Sequence, residues 1–286
     1  MIYDFSKCKK SNKYYGGSER KIGIIISGEE YMLKFQKYST FGEKIYNHVS
    51  EYIGSHIFEL LGLNVQKTYL GLYNGEEVVA CKNFINNDDK FVPFNDVGET
   101  TLDHKTDDYQ YSYLDIMKML QDNSKLTNLT ETIYVFWDMF IIDALIGNFD
   151  RHGSNWGFIK RKGRYYLAPI FDNGSCLFPQ MNNYDEMEKI INSSEETNKR
   201  IFQFPTSQIK INGKKTSYYE VINSMSFSEC NEALIRIVER FDLEKINKLI
   251  DGTVFINDIH RMFYKHMIKE RFEKILLSTY LKLKER

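Results

Sequence analysis

Apolar and polar positions alternate near the start of the chain and then change to a helical period. The predicted elements are, in order, the strands Lys21–Ser27 and Tyr31–Phe35, a helix over Gly42–Leu61, and the strands Thr68–Tyr73 and Glu77–Phe84. Gly28 and Asn74-Gly75 supply the two hairpin turns, and Gly62 is a helix stop. This order of strand, strand, helix, strand and strand predicts a small α+β lobe.

The rest of the chain is mainly helical in pattern. Residues 86–110 are polar and predict a linker and loop, and residues 184–219 predict an irregular region with a hairpin turn at Asn212-Gly213. Helices are predicted over Leu114–Leu120, over Leu129–Ile146, which is apolar nearly all round and therefore buried, and along the C-terminal end. We therefore predict a β-rich N-lobe over residues 1–86 and a larger helical C-lobe over residues 87–286, with a ligand cleft between them.

Composition excludes several classes of protein. The 286 residues are 42% hydrophobic and 15% aromatic, which is typical of a folded domain, and a net charge of −1 favours neither nucleic acid nor a membrane as partner. The four cysteines are far apart and the N-terminus has no apolar signal-peptide core, so a reduced, cytoplasmic location is favoured. The most apolar stretch, Ile133–Ile146, is too short to span a bilayer and contains Asp138 and Asp143.

The residues that could take part in catalysis or metal binding cluster in Gly147–Ser175, which reads GNFDRHGSNWGFIKRKGRYYLAPIFDNGS. A predicted hairpin over Trp156–Ile170 returns the chain to its starting point, so Asp172 is expected to lie close to Asp150 and Asn155. Two carboxylates and a carboxamide suit a magnesium ion that carries phosphates, because Mg²⁺ prefers hard oxygen ligands.

The spacing D-x-x-x-x-N followed by F-D-x-G is that of protein-kinase catalytic loops, in which one Asp orients the attacking hydroxyl while an Asn and a second Asp hold the metal. Such machinery also needs a strand lysine paired with a helix glutamate. Lys34 lies in the predicted strand YMLKF and Glu51 lies in the helix that follows. Glu43 and Glu59 belong to the same predicted helix, so the partner of Lys34 stays open among the three.

The order D-R-H-x-x-N, followed by LAPIFDNGS, resembles the HipA-like family of bacterial serine/threonine kinases. By its length, the chain resembles the compact, CtkA-like members that lack an N-terminal appendage. Phosphoinositide kinases share D-R-H-x-x-N and are the nearest rival. The resemblance implies a two-lobed α+β protein-kinase-like fold and an ATP- and Mg²⁺-dependent transfer of phosphate to protein Ser or Thr hydroxyls, including the chain's own.

The same resemblance implies a role for each matching residue. Asp150 would be the catalytic base, Asn155 and Asp172 would bind Mg²⁺, and Lys34, held by Glu51, would contact the ATP phosphates. The remaining nucleotide contacts would come from the phosphate loop Gly16, Gly17 and Ser18, from the adenine-facing segment Lys82, Asn83 and Phe84, and from His152. The sequence departs from the kinase pattern at the phosphate loop, because it has no G-x-G-x-x-G.

Two other functions remain open at this point. A lipid kinase would use a basic segment such as Lys210, Lys214 and Lys215 to face a membrane, and a pseudokinase would bind nucleotide and act as a binding module. Candidate sites of self-phosphorylation are Ser193, Ser194, Thr206 and Ser207. The resemblance further implies either a small partner protein that neutralises a toxin kinase or an effector role after export without a classical signal.

Overall fold

The computed structural model describes residues 2–13, 15–16, 20–86, 88–99, 111–121, 126–211 and 213–285. The first elements are β1 (Tyr3–Asp4), β2 (Lys9–Lys10), β3 (Lys21–Ile26), β4 (Glu29–Phe35), β5 (Lys37–Tyr38), β6 (Lys44–Ile45), α1 (Asn47–Leu60), β7 (Thr68–Tyr73) and β8 (Glu76–Lys82). Next come β9 (Lys90–Pro93), α2 (Phe94–Glu99), β10 (Tyr111–Ser112), α3 (Tyr113–Gln121), α4 (Leu129–Ile146), β11 (Gly157–Arg161) and β12 (Arg164–Leu167). The last are α5 (Tyr184–Asn192), α6 (Ser194–Asn198), a π-helical turn (Lys199–Gln203), β13 (Thr206–Ile211), β14 (Lys214–Ser217), α7 (Tyr218–Ser224), α8 (Ser228–Arg240), α9 (Leu243–Asp251), α10 (Asp258–Arg271), a π-helical segment (Phe272–Leu277) and α11 (Ser278–Lys284).

A six-stranded sheet with the order β1-β7-β8-β4-β3-β2 forms the β-rich part of the chain. One face of this sheet covers an apolar cluster that includes Leu33 and Ala80, and the other face carries Lys34, Val79 and Cys81. Successive side chains of a strand point to opposite faces. Lys34 is therefore directed away from the Leu33 cluster, on the face against which α1 packs.

Helix α1 begins five residues later than the sequence pattern predicts, at Asn47 rather than at Gly42. The preceding residues form β6, which pairs with β5. The Asn47 side chain stabilises this arrangement, because its Oδ1 accepts the Lys37 N–H at 2.9 Å and its Nδ2 donates to the Phe35 carbonyl at 3.1 Å. The helix ends where predicted, and Gly62 has a left-handed backbone (φ +87°).

The prediction of a structureless linker over residues 86–110 is wrong for its first half. Residues 90–93 form β9, which pairs antiparallel with β11, and α2 follows directly. The two strands approach so closely that a Cβ on Gly157 would lie 2.3 Å from the Val92 carbonyl oxygen. A pairing partner more than sixty residues away leaves no local signal in a polar sequence. Residues 87 and 100–110 lie outside the described residues.

Residues 184–219 also contain more regular structure than predicted. Helices α5 and α6 begin at the side-chain caps Asn183 and Ser193 and bury only a few residues, including Met187 and Ile190. The apolar residues Met187, Ile190 and Ile191 lie at helical spacing in α5, so the signal was present and the prediction of an irregular region missed it. The predicted hairpin is present as β13 and β14, although Asn212 of its turn lies outside the described residues.

Helix α4 forms the centre of the helical part. It spans Leu129–Ile146 as predicted, and its side chains from Phe136 onward are buried. All four cysteines have free thiols, and within the described residues no helix is both long and apolar enough to cross a bilayer. The architecture is the α+β fold predicted from the sequence, while the lobe boundary at residue 86 stays a prediction.

Candidate active site

Lys34 makes ion pairs with two carboxylates from distant parts of the chain. Its Nζ lies 2.7 Å from Glu51 Oε2 and 2.7 Å from Asp172 Oδ1. Lys34 and Glu51 are buried, whereas the Asp172 side chain is partly exposed. Of the three glutamates left open by the sequence, Glu51 contacts the lysine, because Glu43 precedes α1 and Glu59 faces solvent near its end.

The second oxygen of Glu51 holds the segment that follows Asp172. Glu51 Oε1 accepts the backbone N–H of Asn173 at 3.0 Å. One turn along α1, a Cβ on Gly54 would lie 2.8 Å from Asn173 Cβ and 2.9 Å from Cys176 Sγ, so helix and segment are in direct contact. A larger residue at position 54 would push this segment away from α1.

The loop after α4 presents the Asp150 carboxylate to solvent. Gly147 ends the helix with a left-handed backbone (φ 64°), and the Asn148 side chain then donates to Asp143 and accepts the Asp150 N–H. The Asp150 side chain is 48% exposed, and His152 Nε2 lies 3.8 Å from its Oδ1. Asp150 is thus fixed through its backbone while its carboxylate stays accessible.

Arg151 connects this loop to the rest of the site through hydrogen bonds. Its buried guanidinium donates to both carboxylate oxygens of Asp143, to the carbonyl oxygens of Asn155 and Phe171, and to Asn173 Oδ1. Burial alone lowers the pKa of Arg151, but the Asp143 carboxylate outweighs it and raises the pKa above the ordinary value. Arg151 is therefore a permanent buried cation that orients the loops carrying Asp150 and Asp172.

Asn155 and Asp172 have the donor atoms that a magnesium site needs. Asn155 Nδ2 donates to the Asp150 carbonyl at 2.7 Å, so the amide oxygen Oδ1 is the Asn155 atom that could bind a cation. Within the described residues no group of three or more His, Cys, Asp or Glu could hold a metal ion. Mg²⁺ usually takes only one or two protein oxygens and completes its shell with water and phosphate, so an Asn–Asp pair fits it.

The charges of the site follow from these contacts. The ammonium of Lys34 lowers the pKa of Asp172 to about 2, against the cost of burial. Burial lowers the pKa of Lys34, but Asp172 and Glu51 together raise it well above the usual lysine value. Burial raises the pKa of Asp150 above that of an ordinary aspartate. A cavity of about 100 Å³ between these side chains is lined by Lys34, Asp150 and Asp172 among others.

The adenine-facing segment is placed only in part as the sequence implied. The Phe84 ring lies 5.5 Å from Phe171, directly before Asp172, and the Asn83 side chain donates to Glu30 at 3.0 Å. Lys82 does not join the site: by strand alternation its side chain lies on the opposite face from Lys34, and its ammonium pairs with Glu29 at 2.6 Å.

The two remaining candidates lie at the edges of the site. His152 Nδ1 accepts the Ser154 N–H at 3.2 Å, which directs Nε2 toward Asp150. Gly16 has open space around its Cα, and its carbonyl accepts a hydrogen bond from Lys21. Gly17 and Ser18 lie outside the described residues.

Sequence reasoning missed the residues that hold the site together. Asp143 and Asn173 each accept a hydrogen bond from Arg151 in the interior, yet none of the three was assigned a role. One signal was present in the sequence. Asp143 lies in the otherwise apolar α4, and a buried carboxylate must have a partner.

Comparison with known proteins identifies the family of the chain. The family model for HipA-like C-terminal domains matches residues 14–233. The serine/threonine-protein kinase CtkA of Helicobacter pylori strain J99 is 38% identical over 281 residues, covering 96% of this chain and 86% of that protein. The crystal structure of an H. pylori proinflammatory kinase CtkA has a TM-score of 0.93 at 34% identity and covers 100% of this chain and 98% of that one.

A more distant structure shares the fold alone. It comes from a complex of Shewanella oneidensis MR-1 HipA, HipB and operator DNA, with a TM-score of 0.62 and 14% identity over 98% of this chain and 68% of that one.

Asp143→Asn is expected to reduce both stability and turnover, because it leaves the Arg151 charge buried without its partner. Loss of one partner of a buried pair costs about 3–5 kcal/mol, and a shift of the catalytic loop by about 1 Å costs on the order of 10²-fold in kcat. Thermal unfolding and steady-state phosphate transfer, measured well below the melting temperature, check both effects. Asp138→Asn is the matched control, since Asp138 lies on the same helix but pairs with Arg236. Equal kcat losses in the two variants would contradict the positioning role of Asp143.

Proposed function

The chain belongs to the HipA-like family of serine/threonine protein kinases, and from this premise we propose that it transfers the γ-phosphoryl group of ATP, with Mg²⁺, to serine and threonine hydroxyls. The observation that carries the proposal is the double contact of Lys34 with Glu51 and Asp172. The ammonium of the strand Lys34 is thus within hydrogen-bond distance of both the helix Glu51 and Asp172, as the proposed phosphotransfer site requires.

Asp150 is the proposed catalytic base. It orients the acceptor hydroxyl and takes its proton as the new phosphate ester bond forms, while the bond from the γ-phosphorus to the bridging oxygen breaks and ADP leaves. Its accessible carboxylate allows a substrate hydroxyl to approach. Burial raises the pKa of Asp150, which makes its carboxylate a better proton acceptor than that of an ordinary aspartate.

Asn155 and Asp172 are the proposed magnesium ligands, and Lys34 is the proposed phosphate contact. The low pKa of Asp172 keeps its carboxylate ionised, which metal binding requires. Bound Mg²⁺ would neutralise negative charge on the phosphate oxygens. Glu51 holds the Lys34 ammonium at the cavity and keeps it protonated.

The nucleoside end of ATP is proposed to meet Asn83 and Phe84. The rings of Phe84 and Phe171 lie side by side and offer an apolar surface next to the metal ligand Asp172. His152 is proposed to lie beside the nucleotide, and Gly16, Gly17 and Ser18 remain the proposed phosphate loop. Lys82 is left out of this proposal because of its position on the far face of the sheet.

A protein hydroxyl is favoured over a lipid hydroxyl by the 38% identity to a serine/threonine-protein kinase over most of the chain. The complete set of Lys34, Asp150, Asn155 and Asp172 argues for an active enzyme over a pseudokinase. A small neutralising partner protein and an effector role remain predictions.

Self-phosphorylation is proposed for exposed hydroxyls only. Ser194 is exposed, and Thr206 is partly exposed. Ser207 is fully buried and its hydroxyl donates to the Thr216 carbonyl, so it is a poor acceptor in the folded chain. Ser193 is partly exposed, and its side chain caps α6.

Asp150→Asn is expected to lower phosphate transfer by about 10²–10⁴-fold, the usual contribution of a general base. The fold should persist, because the carboxylate is half exposed. Incubation with γ-labelled ATP and Mg²⁺ followed by mass spectrometry measures the loss and identifies the acceptors. Asp242→Asn is a control of similar exposure, 41% against 48%, in which Asn still caps the helix. Full activity in Asp150→Asn would refute the base assignment.

The pH profile of kcat/KM is expected to fall on the acid side through the pKa of Asp150. A base acts only when deprotonated, and burial raises this pKa, so the acid limb lies above the range of an ordinary aspartate. Asp172, with a pKa of about 2, stays ionised throughout and does not produce this limb. A profile that is flat down to about pH 4 would contradict the raised pKa.

Asp172→Asn is expected to abolish the rise in melting temperature that ATP with Mg²⁺ gives to the wild type. Ligand at about 100 times its Kd stabilises a protein by about 2.7 kcal/mol, and loss of a metal ligand removes most of that gain. Asp150→Asn is the control, because it leaves both proposed metal ligands in place and keeps the shift. An unchanged shift in Asp172→Asn would count against the metal assignment.

A further inference from the structure

We propose that a groove beside Asp150 receives a large apolar side chain of the protein substrate, located within two residues of the serine or threonine that is phosphorylated. The inference rests on the proposed function, since it takes Asp150 as the group that orients the acceptor hydroxyl. It adds a sequence preference to a reaction that otherwise specifies only the hydroxyl.

The groove has a volume of about 350 Å³, within the range of about 300–1,000 Å³ that ligand sites occupy. It is bounded by the residue before Asp150, by the segment that follows the second aspartate, and by Phe204, two residues before β13. The side chains used in the argument are Phe149, Phe178, Pro179, Met181 and Phe204.

Aromatic rings form its apolar surface. The Phe204 ring centroid lies 6.0 Å from that of Phe149 and 6.1 Å from that of Phe178, while the Phe204 side chain remains 48% exposed. An exposed phenylalanine that packs on two others at the edge of a reaction site leaves apolar area for a partner to cover. Burial of that area favours a large apolar side chain.

The position of the groove determines which part of a substrate can reach it. Phe149 is the residue directly before Asp150, so the groove begins within one residue of the proposed base. An extended peptide advances about 3.3–3.6 Å per residue. A substrate whose hydroxyl contacts Asp150 therefore brings its neighbours, one or two residues away, to the groove.

The charges around the groove favour an apolar occupant over a basic one. Glu186 is the acidic residue among those that line it, and Arg200 already pairs with it at 2.8 Å. The same Arg200 also pairs with Glu196 at 3.1 Å, so the arginine is held in place. A lysine or arginine of the substrate would have to displace this pair, whereas a leucine or phenylalanine would not.

Positional scanning of short peptides tests the proposal. Each peptide carries one serine, and Leu, Phe, Ala, Lys or Asp is placed at each of the two positions on either side. The wild type is expected to prefer Leu or Phe over Ala at one of these positions by about 10- to 100-fold in kcat/KM, mainly through KM. Absence of a preference for apolar residues at all four positions overturns the proposal.

Two groove variants and one control test whether the preference for Leu or Phe over Ala depends on the groove. Phe204→Ala and Met181→Ala lie on different segments and are both expected to reduce it, so misfolding of one variant leaves the other as a test. Leu281→Ala removes a side chain of similar exposure, 52%, from α11 and is expected to keep it. Retention of the full preference in both groove variants overturns the proposal.

A binding measurement separates this inference from the proposed function. Fluorescence anisotropy with labelled Leu-containing and Ala-containing peptides is measured on Asp150→Asn, with and without Phe204→Ala. Tighter binding of the Leu peptide, lost with Phe204→Ala, supports the groove even if no phosphate transfer occurs in the wild type. Equal binding of the two peptides overturns the groove, whatever the kinase assay gives.

Discussion

One buried guanidinium sets the geometry of the candidate active site. Arg151 pairs with Asp143 inside the helical core, and the same group holds the carbonyl oxygens of Asn155 and Phe171. A cation with almost no contact with water is stable only when a carboxylate pairs with it and its N–H groups find acceptors. These requirements fix the loop that carries Asp150 and the hairpin end that carries the second aspartate relative to each other and to α4.

A second charged group extends this arrangement to the sheet. Lys34 contacts Asp172 from the strand side, and Glu51 contacts both Lys34 and the Asn173 backbone. Asn173 also accepts a hydrogen bond from Arg151, so the two buried cations act on the same short segment. Because these contacts join β4, α1 and the hairpin end, a shift of the helix would move the lysine and the proposed metal ligands together. The geometry for catalysis thus depends on the packing of α1.

The sequence was sufficient for the parts of the fold that have strong local patterns. The first hairpin, the turn at Asn74-Gly75 and the limits of α4 all agree with it, because alternation, turn residues and an apolar run each act over a few residues. It failed at β9 and at α5, where the chain is polar. β9 forms because β11 supplies its hydrogen-bond partners, and α5 is stabilised by burial of Met187 and Ile190. The pairing partner of β9 is not contained in the segment itself, whereas the amphipathic pattern of α5 is local and was missed.

For the active site, the sequence predicted the type of chemistry, because the residue types and the spacing from Asp150 to Asn155 and Asp172 are typical of phosphate transfer with a divalent metal. The folded structure was needed to show that Glu51 meets Lys34 and that Lys82 faces away. It also decided that Phe149 and Phe204 form a groove at the proposed base. The physical reason is that motif spacing reflects short-range chain geometry, whereas ion pairs, strand faces and grooves form between residues that only the folded core brings together.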